Sequence, residues 1–109
     1  MSAPFNVNAI DDVIHGRLRL GVMAYLAGAH VAEFNELKSK LETTDGNLSV
    51  HLRKLEDAGY VSIEKTYAGR KPLTRVRVTE LGRDAFVTYL DAIEKLVNGS
   101  SVRPKKKAS

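Results

Sequence analysis

Two short stretches of this 109-residue chain carry side chains suited to grasping a nucleic acid. In the first, helical spacing puts Gly46, Val50, Arg53 and Asp57 on one side and Leu48, Leu52 and Leu55 on the other, with Asn47, Ser49 and Lys54 flanking the polar side. Asn47 and Ser49 can hydrogen-bond bases or phosphates. The planar fork of Arg53 can bind guanine bidentately, Val50 can touch a thymine methyl, and Lys54 suits a phosphate. Each has a structural competitor: Asn47 and Ser49 suit any first helical turn, an exposed valine is ordinary, and Arg53 or Lys54 can pair with Asp57. The second stretch, Lys65 to Thr79, carries Lys65, Arg70, Lys71, Arg75 and Arg77 and no acid. A tight turn at Gly69 would project Arg70 and Lys71. Arg75 and Arg77 share a strand face, where they either position a polyanion or pair with acids of the last helix.

Other chemistries find little support. The chain has no cysteine, which excludes disulfides, thiolate metal sites and a thiol nucleophile. His15, His30 and His51 show no metal-site spacing, and although Ser49, His51 and Asp45 are hydrolase residue types, Ser49 and His51, two apart on one helix, face different ways. Neither an enzyme nor a cofactor or metal site is expected. Four of the 17 basic residues lie at Arg103 and Lys105 to Lys107, so those before them only balance the 13 acids. A neutral body with a local basic stripe points to a positioned surface rather than diffuse basicity. With 43% hydrophobic residues the chain can form one modest core. It has neither a membrane-length apolar run nor a secretory pattern, so a cytoplasmic protein with no membrane partner is expected.

The elements that must position these residues follow from periodicity and caps. Residues 1–9 read as a flexible arm. Asp11 and Asp12 favour the start of a first helix reaching about Gly28, and a second spans about Ala32 to Leu41. Thr43 or Thr44 can cap a third helix, with Asp45 adding favourable charge, and Gly59 stops it. Strands are expected at Tyr60 to Tyr67 and Thr74 to Thr79, joined by a turn over Ala68 to Pro72. Thr79 caps a fourth helix reaching about Asn98, and residues 99–109 read as a disordered basic tail. Residues 10–98 thus form one α+β, mostly α, domain of three helices, a two-stranded hairpin and a long C-terminal helix. The first helix is apolar all round and the last over half its circumference, more than one small core needs. A homodimer through those two helices is therefore expected.

The run Asp45-Gly46-Asn47-Leu48-Ser49-Val50-His51-Leu52-Arg53-Lys54-Leu55-Glu56-Asp57-Ala58-Gly59-Tyr60-Val61 resembles the recognition helix and first wing strand of small winged helix-turn-helix transcriptional regulators, relatives of the MarR and ArsR types. The resemblance continues through Gly69-Arg70-Lys71-Pro72 and Thr79-Glu80-Leu81-Gly82-Arg83 and covers roughly Val13 to Val97. It implies sequence-specific binding of double-stranded DNA by a homodimer, third helices in successive major grooves and the basic wing on the backbone or minor groove. The residues expected to meet DNA are Thr44, Asp45, Gly46, Asn47, Ser49, Val50, Arg53, Lys54, Gly69, Arg70, Lys71 and Arg75. The chain lacks the cysteines of metal-sensing ArsR proteins and the extra helices with which longer MarR proteins enclose a ligand, so no effector is read from it. The alternative is a winged-helix module for protein or RNA partners. The basic wing favours DNA, since a protein-binding groove would show more exposed aromatics.

Overall fold

A computed structural model describes residues 6–99. Among them are four α-helices and a three-stranded antiparallel sheet: α1 (Arg17–Ala29), β1 (Val31–Glu33), α2 (Phe34–Lys40), α3 (Asp45–Asp57), β2 (Val61–Ala68), β3 (Lys71–Val78) and α4 (Glu80–Asn98). The basic run expected to be a disordered tail lies outside the described residues from position 100 on, as do the first five residues of the expected arm. The described part of that arm is a 3₁₀ turn over Val7–Ala9, where the Asn6 side chain accepts the Asn8 N–H.

The first helix starts later than its acids suggest. Asp11 uses its carboxylate locally, accepting the backbone N–H groups of Val13 (2.8 Å) and Ile14 (3.3 Å). It caps a turn rather than a helix, and that turn drops Ile14 fully into the core. Gly28 lies inside α1, and the chain leaves that helix at His30, whose φ of 68° breaks the helical path. From there Val31–Glu33 forms a third strand instead of a link and helix start. Its register against β3 pairs Val31 with Arg77, Ala32 with Val76 and Glu33 with Arg75. The sheet order is β1-β3-β2.

The wing turn is also shorter than expected. Ala68 pairs with Lys71, leaving only Gly69 and Arg70 between the strands, and Gly69 supplies the positive φ (64°) that a tight hairpin requires at its first position. Pro72 belongs to β3. It is tolerated there because β1 reaches only Arg75–Arg77, so β3 is an edge at Pro72.

Leu48, Leu52 and Leu55 of α3 are buried with Val22, Met23 and Leu26 of α1, Leu37 of α2 and Val61, Val76 and Val78 of the sheet. The caps on α3 and α4 follow the sequence expectation. Thr44 Oγ1 accepts the Asn47 N–H (3.2 Å) and Thr79 Oγ1 the Gly82 N–H (2.9 Å). The Thr79 hydroxyl also donates to the Gly59 carbonyl (2.6 Å), where a φ of 80° ends the α3 segment. Beside it the Tyr60 hydroxyl donates to Asp11 (2.6 Å), and that bond pushes the phenol up to about 12, so it keeps its proton through neutral pH.

Gly82 marks where α4 crosses this junction. A Cβ built there would lie 2.0 Å from the Tyr60 carbonyl oxygen, and backbone cannot step aside as a flexible side chain can. Gly82→Ala should therefore destabilise the protein by about 1–3 kcal/mol or more through overpacking. Urea denaturation checks this, and an unchanged midpoint would show that the close approach is not kept in solution.

Candidate nucleic-acid interface

Because its three leucines are buried, α3 has a fixed rotation about its axis, and the opposite side must face solvent. Gly46, Asn47, Ser49, Val50, Arg53, Lys54 and Asp57 are all exposed, Val50 by 55%. Val50 lies at the centre of this face. Ser49 and Arg53 lean to the side of the wing, whereas Lys54 and Asp57 lean toward Arg19 in the first turn of α1 and Asp12 in the turn preceding it. Among the described residues no ion pair joins Arg53 or Lys54 to Asp57, so both cations remain free. Gly46 has no atom within 4 Å of where a Cβ would stand, so nothing inside the chain requires glycine there.

Two of the expected contact residues also have structural work. Thr44 is the α3 cap, and Asp45 forms an ion pair with Lys38 of α2 (2.8 Å), tying the two helices of the motif together. His51, on the shoulder of α3, accepts from the Arg19 guanidinium through Nδ1 (2.8 Å), while Arg19 also donates to the Val13 carbonyl. Burial, and then the charges of Arg19 and Lys54, hold His51 below the usual imidazole range. A neutral imidazole is what an arginine donor needs, so Arg19 braces α3 against the turn preceding α1. Sequence reasoning missed Arg19 because no periodic pattern links it to His51.

Between α3 and the wing runs an open groove of about 620 Å³. Leu52, Phe34 and Ile63 line it together with Asp45, Ser49, Arg53 and Glu56 of α3 and Lys65 and Thr74 of the wing. Lys65 and Thr74 are a cross-strand pair, and neither was among the expected contact residues, although Lys65 belongs to the basic run.

The sheet register splits that basic run between two faces. Lys65 shares a face with Ile63 and Val76 and so looks toward α3, whereas Lys71, Arg75 and Arg77 alternate onto the opposite face. Arg75 stands in register between Glu33 on β1 and Glu64 on β2, and among the described residues it forms no ion pair with either of them or with an acid of the last helix. The structure thus brings Arg53 together with the wing's inner face and does not bring Arg75 to it. Gly69, Arg70 and Lys71 remain exposed at the tip.

The histidines are each engaged singly: His15 Nδ1 with the Tyr89 hydroxyl (2.9 Å), His30 with Arg83 (2.7 Å) and His51 with Arg19. Among the described residues no three His, Cys, Asp or Glu side chains gather as a metal site, and no helix is long and apolar enough to cross a membrane.

Comparison with known proteins places this geometry. The chain is 39% identical over 84 residues to an uncharacterized protein of Methanocaldococcus jannaschii, an alignment covering 77% of this chain and 91% of the relative. Among solved structures it is similar to a transcriptional regulator homologue protein from Pyrococcus horikoshii OT3, with a TM-score of 0.77 and 31% identity over 83% of this chain and 89% of the other. Disulfide-formed AbfR shares the fold, with a TM-score of 0.64 and 20% identity over 75% of this chain and 55% of that one. Residues 18–97, which hold α1 through most of α4 and with them the exposed face of α3 and the wing, match the winged helix DNA-binding domain family, and the chain belongs to it.

Proposed function

We propose that this protein is a transcriptional regulator that binds double-stranded DNA sequence-specifically as a homodimer, with α3 in the major groove and the wing on the backbone or minor groove. The observation that carries this reading is the outward face of α3. It presents a valine, two small polar residues and two unpaired cations beside a basic hairpin, on a scaffold whose core is complete without them. A helix fits the major groove, and the types present can address base edges and phosphates. Similarity to the transcriptional regulator homologue of Pyrococcus horikoshii agrees with this reading. The contact set is Thr44, Asp45, Gly46, Asn47, Ser49, Val50, Arg53 and Lys54 on α3 and its cap, with Gly69, Arg70, Lys71 and, from the far face, Arg75 on the wing. The role is binding rather than catalysis, it needs no cofactor or metal, and its place is the cytoplasm.

Support for the homodimer lies mainly on α4. Gly82, Ala85, Tyr89, Ala92 and Leu96 form its inward stripe, while Phe86, Leu90, Ile93 and Val97 form a second stripe about 100° further round. Leu90 is 50% exposed and neighbouring Val87 is 61% exposed. α1 buries Leu18, Val22, Met23 and Leu26 inside the protomer, so the excess apolar face belongs chiefly to α4. A second copy would cover that face by two-fold symmetry and set the two α3 helices against half-sites ~34 Å apart.

Three measurements test the reading. Sedimentation equilibrium at micromolar concentration should show a dimer of the 12.0 kDa chain, and a purely monomeric species would remove the homodimer. Lys71→Ala should weaken all duplexes alike and lower the salt slope by about one, since a phosphate contact releases a counterion without reading a base. A loss confined to one sequence would contradict that role. Arg53→Ala should cost ~1–3 kcal/mol on the selected site and relax preference at one base position per half-site, and Arg53→Lys should restore little because a point charge cannot replace the fork. Affinities for the selected duplex and its single-base variants decide this, and an unchanged base preference in Arg53→Ala would sink the reading role.

A further inference from the structure

The two faces of the wing carry different chemistry, and the register shows which face looks toward α3. From the core outward that inner face presents the pairs Ile63 and Val76, then Lys65 and Thr74, then Tyr67 and Pro72, before the turn at Gly69 and Arg70. Tyr67 is 71% exposed, more than any other large hydrophobic residue described. The other three tyrosines are tethered: Tyr25 donates to Glu36, Tyr60 to Asp11, and Tyr89 meets His15. Among the described residues the Tyr67 hydroxyl has no such partner, and its cross-strand neighbour in register is Pro72. The fold does not need this side chain where it stands.

Its surroundings identify what would cover it. From Lys65 to Thr74 the charged residues are Lys65, Arg70 and Lys71, all positive. An apolar ring ending in a hydroxyl donor, on a hairpin arm whose charged residues from 65 to 74 are all basic, complements a polyanion with an apolar sugar wall and acceptor atoms behind it. The minor groove has that composition: deoxyribose faces line it, and adenine N3 and thymine O2 on its floor accept hydrogen bonds. With α3 in the major groove, the strand separating the two grooves would pass along the inner face of the wing.

Resting on the DNA-binding reading, we infer that Tyr67, backed by Pro72, is a minor-groove contact of the wing, its ring against the sugars and its hydroxyl toward the base acceptors, with Lys65 below it on the intervening phosphate. The inner face of the wing then enters the minor groove, whereas the outer face, where Thr66 pairs with Leu73, stays outside that groove and offers Lys71 and Arg75 only to the flanking backbone.

The test uses the full chain and a fluorescent duplex that the wild-type protein selects from random sequence. Tyr67→Ala should weaken binding by about threefold to tenfold, the order expected for losing one hydrogen bond and a buried apolar contact. The salt slope should stay unchanged, because the ring carries no charge. Lys65→Ala should lower that slope by about one, and Thr66→Ala, on the outer face, should bind as the wild type does. The chain has no tryptophan, so Tyr67→Trp supplies a single indole whose quenching by acrylamide should fall when the duplex is added. Wild-type binding by Tyr67→Ala, or an indole equally quenchable with and without duplex, overturns the assignment while leaving the DNA-binding reading intact. A wild-type chain that selects no duplex overturns both.

Discussion

The burial of Leu48, Leu52 and Leu55 is the constraint on which the site depends. Full burial of a leucine contributes ~1.5–3 kcal/mol, so three of them amount to a large part of the 5–15 kcal/mol that typically holds a domain of ordinary size. Turning α3 by one residue, about 100°, would expose these leucines and bury Arg53 or Lys54 without partners. Neither change is affordable. The face available for recognition is thus set by what the core takes away: Val50 is outward because Leu48 and Leu52 are inward.

A fixed rotation is useful only if α3 also holds its place relative to the wing and to α4. That placement is concentrated at one junction. Gly59 turns the chain with a positive φ, Tyr60 reaches back to Asp11, the Thr79 hydroxyl closes on the Gly59 carbonyl, and Gly82 lets α4 cross against the Tyr60 backbone. The end of α3, the start of β2 and the start of α4 therefore move as one unit. If α4 carries the dimer contact, the same junction transmits the spacing between the two recognition helices. Thr79 is central because one hydroxyl serves as acceptor for α4 and donor to the turn, satisfying backbone groups of both.

Much of this was legible where local chemistry decides the outcome. The leucine stripe, the Thr44 and Thr79 caps and the stop at Gly59 each rest on residues within a few positions of one another. β1 was not legible: three residues are too few to show alternation, and their hydrogen-bond partners, Arg75 to Arg77, lie far along the chain. The start of α1 was misplaced because an aspartate before an apolar run favours a capped turn as well as a helix start, and only the burial of Ile14 separates the two. The basic run read as one stripe because sequence order conceals the pleat. Alternation along β3 and pairing with β1 and β2 divide it, placing Arg75 between carboxylates and leaving Lys65 in the groove beside Arg53.

That division supplies a way to rank site residues that residue type alone does not. Arg75 is the kind of side chain expected at a phosphate, yet both its cross-strand neighbours are glutamates, which lower the positive potential it can offer. Gly46 is chemically featureless, yet in a helix it can cost up to about 1 kcal/mol against alanine, and a Cβ there would meet nothing. Val50 likewise places a β-branched apolar side chain on an exposed helical surface where lysine or glutamate would suit both propensity and solvation. Positions where local preference is overridden without an internal reason are where an external partner supplies the reason. By that criterion Gly46 and Val50 speak for an external partner more strongly than Arg75 does. Gly46 and Val50 lie together at the centre of the α3 face, so on the DNA-binding reading proposed above the closest approach of backbone to the duplex belongs at the start of this helix.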